Sequence, residues 1–318
     1  MAARRELDPQ TARVLADLDG PGVAQVADMT PAGARRHVED FVRKWDLDPR
    51  PPIGAAEDLA VPGPEAGQTI AARLYRPSGV GGALPLVVFF HAGGYVFGSI
   101  ETHDSFCRLI AQGAGCLVLS VAYRRAPEHR FPAAHEDSYA AASWAAAHAR
   151  EIGADPARIA VAGDSSGGTL ANGVCQLAHR RGKPRIAHQF LWYPGTAGGP
   201  ETESMRTLSE GYFLNSGLMK WSMGHYLNAP SDLADPLVAP MKMADFSILP
   251  PTFLMTAGFD PRRDDNAAFV DALAAAGVPA TLRVLETTIH GFMFMLGGID
   301  LAVDAAKESA AYIRAALA

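Results

Sequence analysis

The stretch VAGDSSGGTL, residues 161–170, sets two adjacent serines between glycines. A serine hydroxyl alone is a weak nucleophile. To attack a carbonyl it needs a general base, a carboxylate that holds the base, and donors for the oxyanion it creates. Gly163-Asp164-Ser165-Ser166-Gly167 fits the pattern Gly-x-Ser-x-Gly with Ser165 at its centre. Ser166 does not fit, because Asp164 would then occupy a position that must be small. The spacing has a mechanical origin: a sharp strand-to-helix turn strains the serine backbone and brings the residues two before and two after it together. The turn also lifts the hydroxyl to the positive end of the following helix. A tight turn without chemistry is the plain alternative. The apolar run RIAVAG before the motif and the amphipathic SGGTLANGVCQLAHRR after it supply the strand and helix that such an elbow requires.

The other parts lie far off in the chain. The loop His91-Ala92-Gly93-Gly94-Tyr95 follows the apolar run PLVVFF, and its glycines let backbone N–H groups approach a ligand. With the amide of Ser166 it is a candidate oxyanion hole; taken alone it also reads as a simple glycine turn. Of the ten histidines, His290 in TTIHGFMF falls on a loop between ATLRVLE and the last helix. Asp260 directly follows the strand-like PTFLMTAG. The order Ser165, Asp260, His290 is that of an α/β-hydrolase. Asp264 and Asp265 compete with Asp260, but they fall at the start of the next helix, where acidic residues suit its dipole.

These residues need a scaffold that presents strand ends on one edge. TIAARLY alternates like a strand, and PLVVFF, CLVLSVAY, RIAVAGD, AHQFLWYP and PTFLMTAG are apolar runs suited to strands buried on both faces. Helical segments lie between them, near 102–113 and in PAAHEDSYAAASWAAAHA and DDNAAFVDALAAAG, with a last helix from about 301. Alternation of this kind predicts an α/β fold, a mostly parallel central sheet with helices on both faces. Ligands of such sheets bind at the carboxyl ends of the strands. The first ~48 residues read as helical, with Val38, Phe41, Val42 and Trp45 on one face, and the prolines of DPRPPIG end that segment. Residues 196–232 interrupt the alternation with another helical stretch. The expected division is therefore a cap from 1–50 and 196–232 over a catalytic core of 51–195 and 233–318.

Composition narrows the function. Lys and Arg total 28 against 34 Asp and Glu, a net charge of −6, and no basic run forms a phosphate-binding stripe, so nucleic acid is not an expected partner. The opening MAARRELDPQ lacks an apolar signal core, and the longest apolar runs are too short to span a bilayer. Cys107, Cys116 and Cys175 are odd in number and widely spaced, which argues against zinc and a disulfide framework and for buried thiols in a cytoplasmic protein. The chemistry asks for no metal and no organic cofactor.

The blocks HAGGYVFGS, VAYRRAPEHRFPAAHED, VAGDSSGG, LMTAGFDPRRDD and HGF, in that order from about 88 to 292, resemble those of bacterial hormone-sensitive-lipase-like esterases, the family IV carboxylesterases of the α/β-hydrolase fold. The resemblance implies Ser165 as nucleophile, His290 as base and Asp260 as its partner. It implies an oxyanion hole from the N–H groups of Gly93, Gly94 and Ser166, and makes a homodimer through the last strand and helix an expectation. The family loop is His-Gly-Gly-Gly; here the first glycine is Ala92, and Ser166 stands where alanine is more frequent. His91, Glu128 and His129 are expected to brace loops rather than react. Tyr95, Phe41, Trp45, Tyr212, Phe213, Met219 and Trp221, with Met223 and Tyr226, are candidate substrate-pocket residues, although aromatic stripes of this kind usually pack a core. The expected activity is hydrolysis of short- to medium-chain esters. A lactonase, amidase or deacetylase with the same triad is the alternative. A non-catalytic receptor on the same fold is disfavoured by the presence of both Asp260 and His290.

Overall fold

The computed structural model describes residues 6–19, 25–196 and 201–318. The ends of the expected cap, including 197–200, therefore lie partly outside the described residues. In chain order the elements are α1 (Pro9–Asp19), α2 (Pro31–Trp45), β1 (Ala55–Pro62), β2 (Thr69–Arg76), β3 (Leu84–Phe90), α3 (Asp104–Ala114), β4 (Leu117–Val121), α4 (Ala133–Ala147), β5 (Ala154–Asp164), α5 (Ser166–Arg181), β6 (His188–Trp192), α6 (Glu203–Leu208), α7 (Ser216–Tyr226), β7 (Thr252–Phe259), α8 (Arg263–Ala275), β8 (Ala280–Ile289) and α9 (Asp300–Ala316).

The strands form one eight-stranded sheet in the order β1-β2-β4-β3-β5-β6-β7-β8. β2 pairs antiparallel with both β1 and β4, and every pair from β4 to β8 is parallel. This is the mostly parallel α/β sheet expected from the alternating pattern, in the α/β-hydrolase arrangement that the family resemblance implies. β4, β6 and β7 are buried at every position, as continuous apolar runs in a doubly covered sheet should be. β1 carries the polar pattern AAEDLAVP and is mostly exposed at the sheet edge, so no apolar run marks it in the sequence.

Side-chain alternation in β6 shows the two covers. Trp192 donates from Nε1 to Ser309 of α9 at 2.9 Å and meets Phe106 of α3 edge-on. Gln189, on the opposite face, accepts from Asn172 of α5 at 3.3 Å. Helices α3 and α9 pack so closely that a Cβ on Gly113 would crowd Ala310 at 2.7 Å. On the other face α5 is buried along its first thirteen residues, Ser166 to Ala178.

The N-terminal segment straps the strand ends. Thr30 caps α2, accepting from Gly33 N–H at 3.2 Å. Arg35 of α2 donates to the Val96 and Ala126 carbonyls at 2.8 Å each and pairs with both oxygens of Glu128. Phe131 N–H donates to the Tyr226 carbonyl at 2.9 Å, and Arg125 to the Gly98 carbonyl at 2.7 Å. The YRRAPEHRFP block thus ties α2, α7 and the loop after β3 together.

Candidate active site

β3, β5, β7 and β8 end on one edge of the sheet, and each delivers one part of the site. β5 runs into Ser165, which has φ 52° and ψ −120°, and α5 begins at the next residue. That conformation is strained for a non-glycine residue. It survives because Gly163 and Gly167 cross without side chains: a Cβ on Gly163 would strike the Gly167 carbonyl, and one on Gly167 would strike that of Phe90.

β7 delivers Asp260 and β8 delivers His290. The pairing jumps from Ala257–Leu285 to Phe259–Ile289, so β8 spends two extra residues there. Without that bulge Phe259 would face Thr287, and His290 would overshoot Asp260. With it, His290 Nδ1 lies 2.8 Å from Asp260 Oδ2, and Nε2 lies 2.9 Å from Ser165 Oγ. A carboxylate can only accept, so Nδ1 carries the proton and Nε2 is left to accept from the serine hydroxyl. The second carboxylate oxygen of Asp260 accepts from the Arg262 backbone N–H at 2.8 Å. Asp260 is fully buried and His290 nearly so.

β3 delivers the loop His91–Tyr95. Gly93 has φ 127° and Gly94 φ 57°; a Cβ on the first would meet the Phe97 carbonyl, and one on the second the Ser222 hydroxyl of α7. Among the described residues no acceptor takes the N–H of Gly93 or Gly94. Ser166 is the first residue of α5, where an amide has no partner within the helix. All three line the same cleft as Ser165 and His290, about 650 Å³ including its mouth.

Asp164, fully buried beside the serine, fixes this loop. Its Oδ1 accepts from the Ala92 N–H at 2.9 Å and lies 3.1 Å from His103 Nε2; its Oδ2 accepts from the Tyr193 hydroxyl at 3.2 Å. Ala92 itself is buried and makes this bond through its backbone, which the missing glycine does not disturb. His91 stacks on Tyr123 with ring centres 4.2 Å apart, and burial pushes its pKa well below the usual histidine range. It sits as a neutral brace, away from the reacting atoms.

The pocket residues divide. Tyr95, Phe213, Met219 and Met223 line the cleft. Phe41 lines an adjoining hollow of about 560 Å³ that shares Phe213, Leu218 and Phe294 with it. Trp45, Tyr212, Trp221 and Tyr226 are not in the cleft wall. Trp45 donates to Asp17 at 2.9 Å and packs over Gly298; Tyr212 packs on Phe259; Trp221 donates to the Met29 carbonyl at 3.2 Å. Tyr226 stacks on the back of Tyr95 with ring centres 3.7 Å apart. Each of these four holds one segment against another. Asp264 turns to Arg263 and the Ser204 N–H, both at 2.8 Å, and Asp265 to Arg262; neither contacts His290. The sequence reading passed over Asp164, His103, Phe97, Leu214, Leu218, Phe294 and Arg262. The adjacency of Asp164 to Ser165 and of Arg262 to Asp260 was the available signal.

A serine, a histidine and a buried aspartate joined at hydrogen-bond distance, on loops at the C-terminal rim of this sheet, define an α/β-hydrolase. Residues 87–294 match a family model described as the alpha/beta hydrolase fold. The chain is 47% identical over 249 residues to the carboxylic ester hydrolase LipN of Mycobacterium tuberculosis, a match spanning 76% of this chain and 65% of that relative. It is 39% identical over 288 residues to the esterase LipI of the same organism, spanning 88% of each. Among solved structures, an ester hydrolase from the metagenome of Lake Arreo, complexed with a bipyridine phosphonate derivative, superposes with a TM-score of 0.93 at 38% identity, over 97% of this chain and 98% of that one. An esterase of Pyrobaculum calidifontis does so with a TM-score of 0.90 at 38% identity, over 98% and 100%. The chain belongs to the hormone-sensitive-lipase-like (family IV) group of α/β-hydrolases.

Proposed function

We propose that the protein is a serine carboxylesterase acting on short- to medium-chain esters, with residues 1–50 and 196–232 as a cap over the core of 51–195 and 233–318. The observation that carries this reading is the continuous Ser165–His290–Asp260 chain, 2.9 and 2.8 Å, opening on an apolar cleft. Ser165 Oγ attacks the ester carbonyl as His290 Nε2 takes its proton. The oxyanion forms beside the N–H groups of Gly93, Gly94 and Ser166, where each well-aimed donor is worth about 10²–10³ in rate. Asp260 holds the ring and stabilises the imidazolium. His290 then protonates the departing alkoxide, leaving an acyl-serine. Water, deprotonated by His290, attacks the acyl-serine; His290 returns that proton to Ser165 Oγ as the acid departs.

The printed names of the relatives, carboxylic ester hydrolase and esterase, support the ester as the bond cleaved. The apolar cleft wall supports the chain-length reading. Phe97, Phe213, Leu218, Met219 and Phe294 reward added methylenes by about 0.8 kcal/mol each until the wall is reached. The test is hydrolysis of p-nitrophenyl esters from acetate to laurate by wild type and Ser165→Ala. We expect the highest kcat/KM on butyrate to octanoate and near-total loss in the variant. A preference for laurate over butyrate to octanoate, or equal turnover by the variant, contradicts the reading.

A further inference from the structure

The cleft around Ser165 is apolar on most sides, yet one permanent charge stands in its wall. Among the described lining residues that charge is Arg262. It occupies the N-cap position of α8, where the positive end of a helix disfavours a cation. Its neighbour Arg263 resolves the same conflict by bonding Asp264 at 2.8 Å and the Gly258 carbonyl at 3.3 Å. Arg262 is held more loosely. Its guanidinium forms a single ion pair with Asp265 at 3.7 Å, and its other N–H donors find no acceptor among the described residues. Its side chain is only 17% exposed, so water has limited access to five N–H donors. The triad does not use this charge, since Asp260 is served by the Arg262 backbone N–H.

A guanidinium whose one described partner is a long ion pair keeps N–H donors in a mostly apolar cleft wall, and a ligand acceptor there gains a charge-assisted hydrogen bond. We propose that Arg262 recognises an anion on the substrate, and that the preferred esters carry a carboxylate near the scissile bond. This rests on the esterase reading and narrows its substrate class. The fork of the guanidinium suits a carboxylate bound by two parallel N–H bonds. The carboxylate can sit on the acyl side, as in a half-ester of a short dicarboxylic acid, or on the alcohol side, as in an acylated hydroxy acid. Binding it also compensates the misplaced cation at the start of α8.

The experiment compares matched esters at pH 7.5 by pH-stat. One arm sets monoethyl glutarate against ethyl valerate; the other sets 3-butyryloxypropanoate against its primary amide. Wild type, Arg262→Leu and Arg262→Lys are each scored by the ratio of kcat/KM for the charged and neutral members, which cancels any general loss of activity. Wild type is expected to favour the carboxylate by about tenfold to a hundredfold in one arm, which then identifies the side it occupies. Arg262→Leu is expected to abolish that ratio, and Arg262→Lys to keep part of it, having the charge without the fork. No carboxylate preference by wild type in either arm overturns the proposal without recourse to any variant. So does a preference that Arg262→Leu retains. Failure of wild type on neutral p-nitrophenyl butyrate as well would instead remove the esterase reading beneath it.

Discussion

At the scale of single residues, the proposed mechanism separates the groups it makes react from the groups that aim them. Ser165, His290 and Asp260 form the chain of hydrogen bonds, while Asp164 ties the Ala92 amide and so sets where the Gly93 and Gly94 N–H groups point. Asp164→Asn keeps the volume but replaces one acceptor with a donor facing the Ala92 N–H or the Tyr193 hydroxyl. We expect kcat for p-nitrophenyl butyrate to fall about tenfold to a hundredfold with KM changed by less than about threefold, because the lost donors act mainly on the transition state. An unchanged kcat would show that the loop holds itself. The juxtaposition of Ser165, His290 and Asp260 was legible in the sequence because each follows or ends a strand-like run. The role of Asp164 was not, because nothing in GDSSG says which backbone amide lies opposite it. Aromatic type was a poor guide to the pocket: Trp45, Tyr212 and Trp221 read as lining residues and instead pin segments together, since the sequence shows that a ring is buried but not what it faces.

At the scale of elements, two backbone crossings make the site possible. Gly163 and Gly167 let β5 turn into α5 beneath the end of β3, and the bulge between β7 and β8 levels His290 with Asp260. Gly167→Ala puts a methyl group into the Phe90 carbonyl. We expect destabilisation by more than about 2 kcal/mol in urea unfolding, with loss of activity in whatever folds. A midpoint equal to wild type would mean that the turn has slack the crossing does not show. The elbow glycines announce themselves through their spacing. The bulge does not, because ATLRVLETTIH reads as one even strand and its register depends on its partner. β1 was missed for the opposite reason: at an exposed edge, AAEDLAVP needs no apolar face.

At the scale of the whole molecule, buried histidines link stability to pH. His135 lies beneath α7, with its Nδ1 2.8 Å from the Tyr226 hydroxyl and its Nε2 2.9 Å from the Leu237 carbonyl. Burial pushes its pKa down to about 4, and burial also lowers those of His91 and His188. A histidine depressed in the folded state is neutral there and charged in the unfolded chain below its usual value near 6.5. Its contribution is therefore complete above that value and lost as the pH falls toward 4, on the order of 3 kcal/mol for His135. Asp46 and Asp265, raised by burial, oppose this only in the carboxylate range. The melting temperature should drop steadily from pH 7 to pH 5; a flat or rising profile would contradict the linkage. The general layout, a parallel sheet with helical segments over one rim, was legible from alternating runs. The brace of Tyr226, Tyr95 and His135 was not, for it joins residues far apart in the chain. The central claim is that Ser165, and not its neighbour, is the atom that becomes acylated. Trapping with a p-nitrophenyl alkylphosphonate, followed by peptide mass spectrometry with fragmentation across residues 161–170, reads that atom directly. The account predicts one phosphonyl group on Ser165, absent in Ser165→Ala and in His290→Ala. Label on Ser166, or full turnover without label at Ser165, would contradict it.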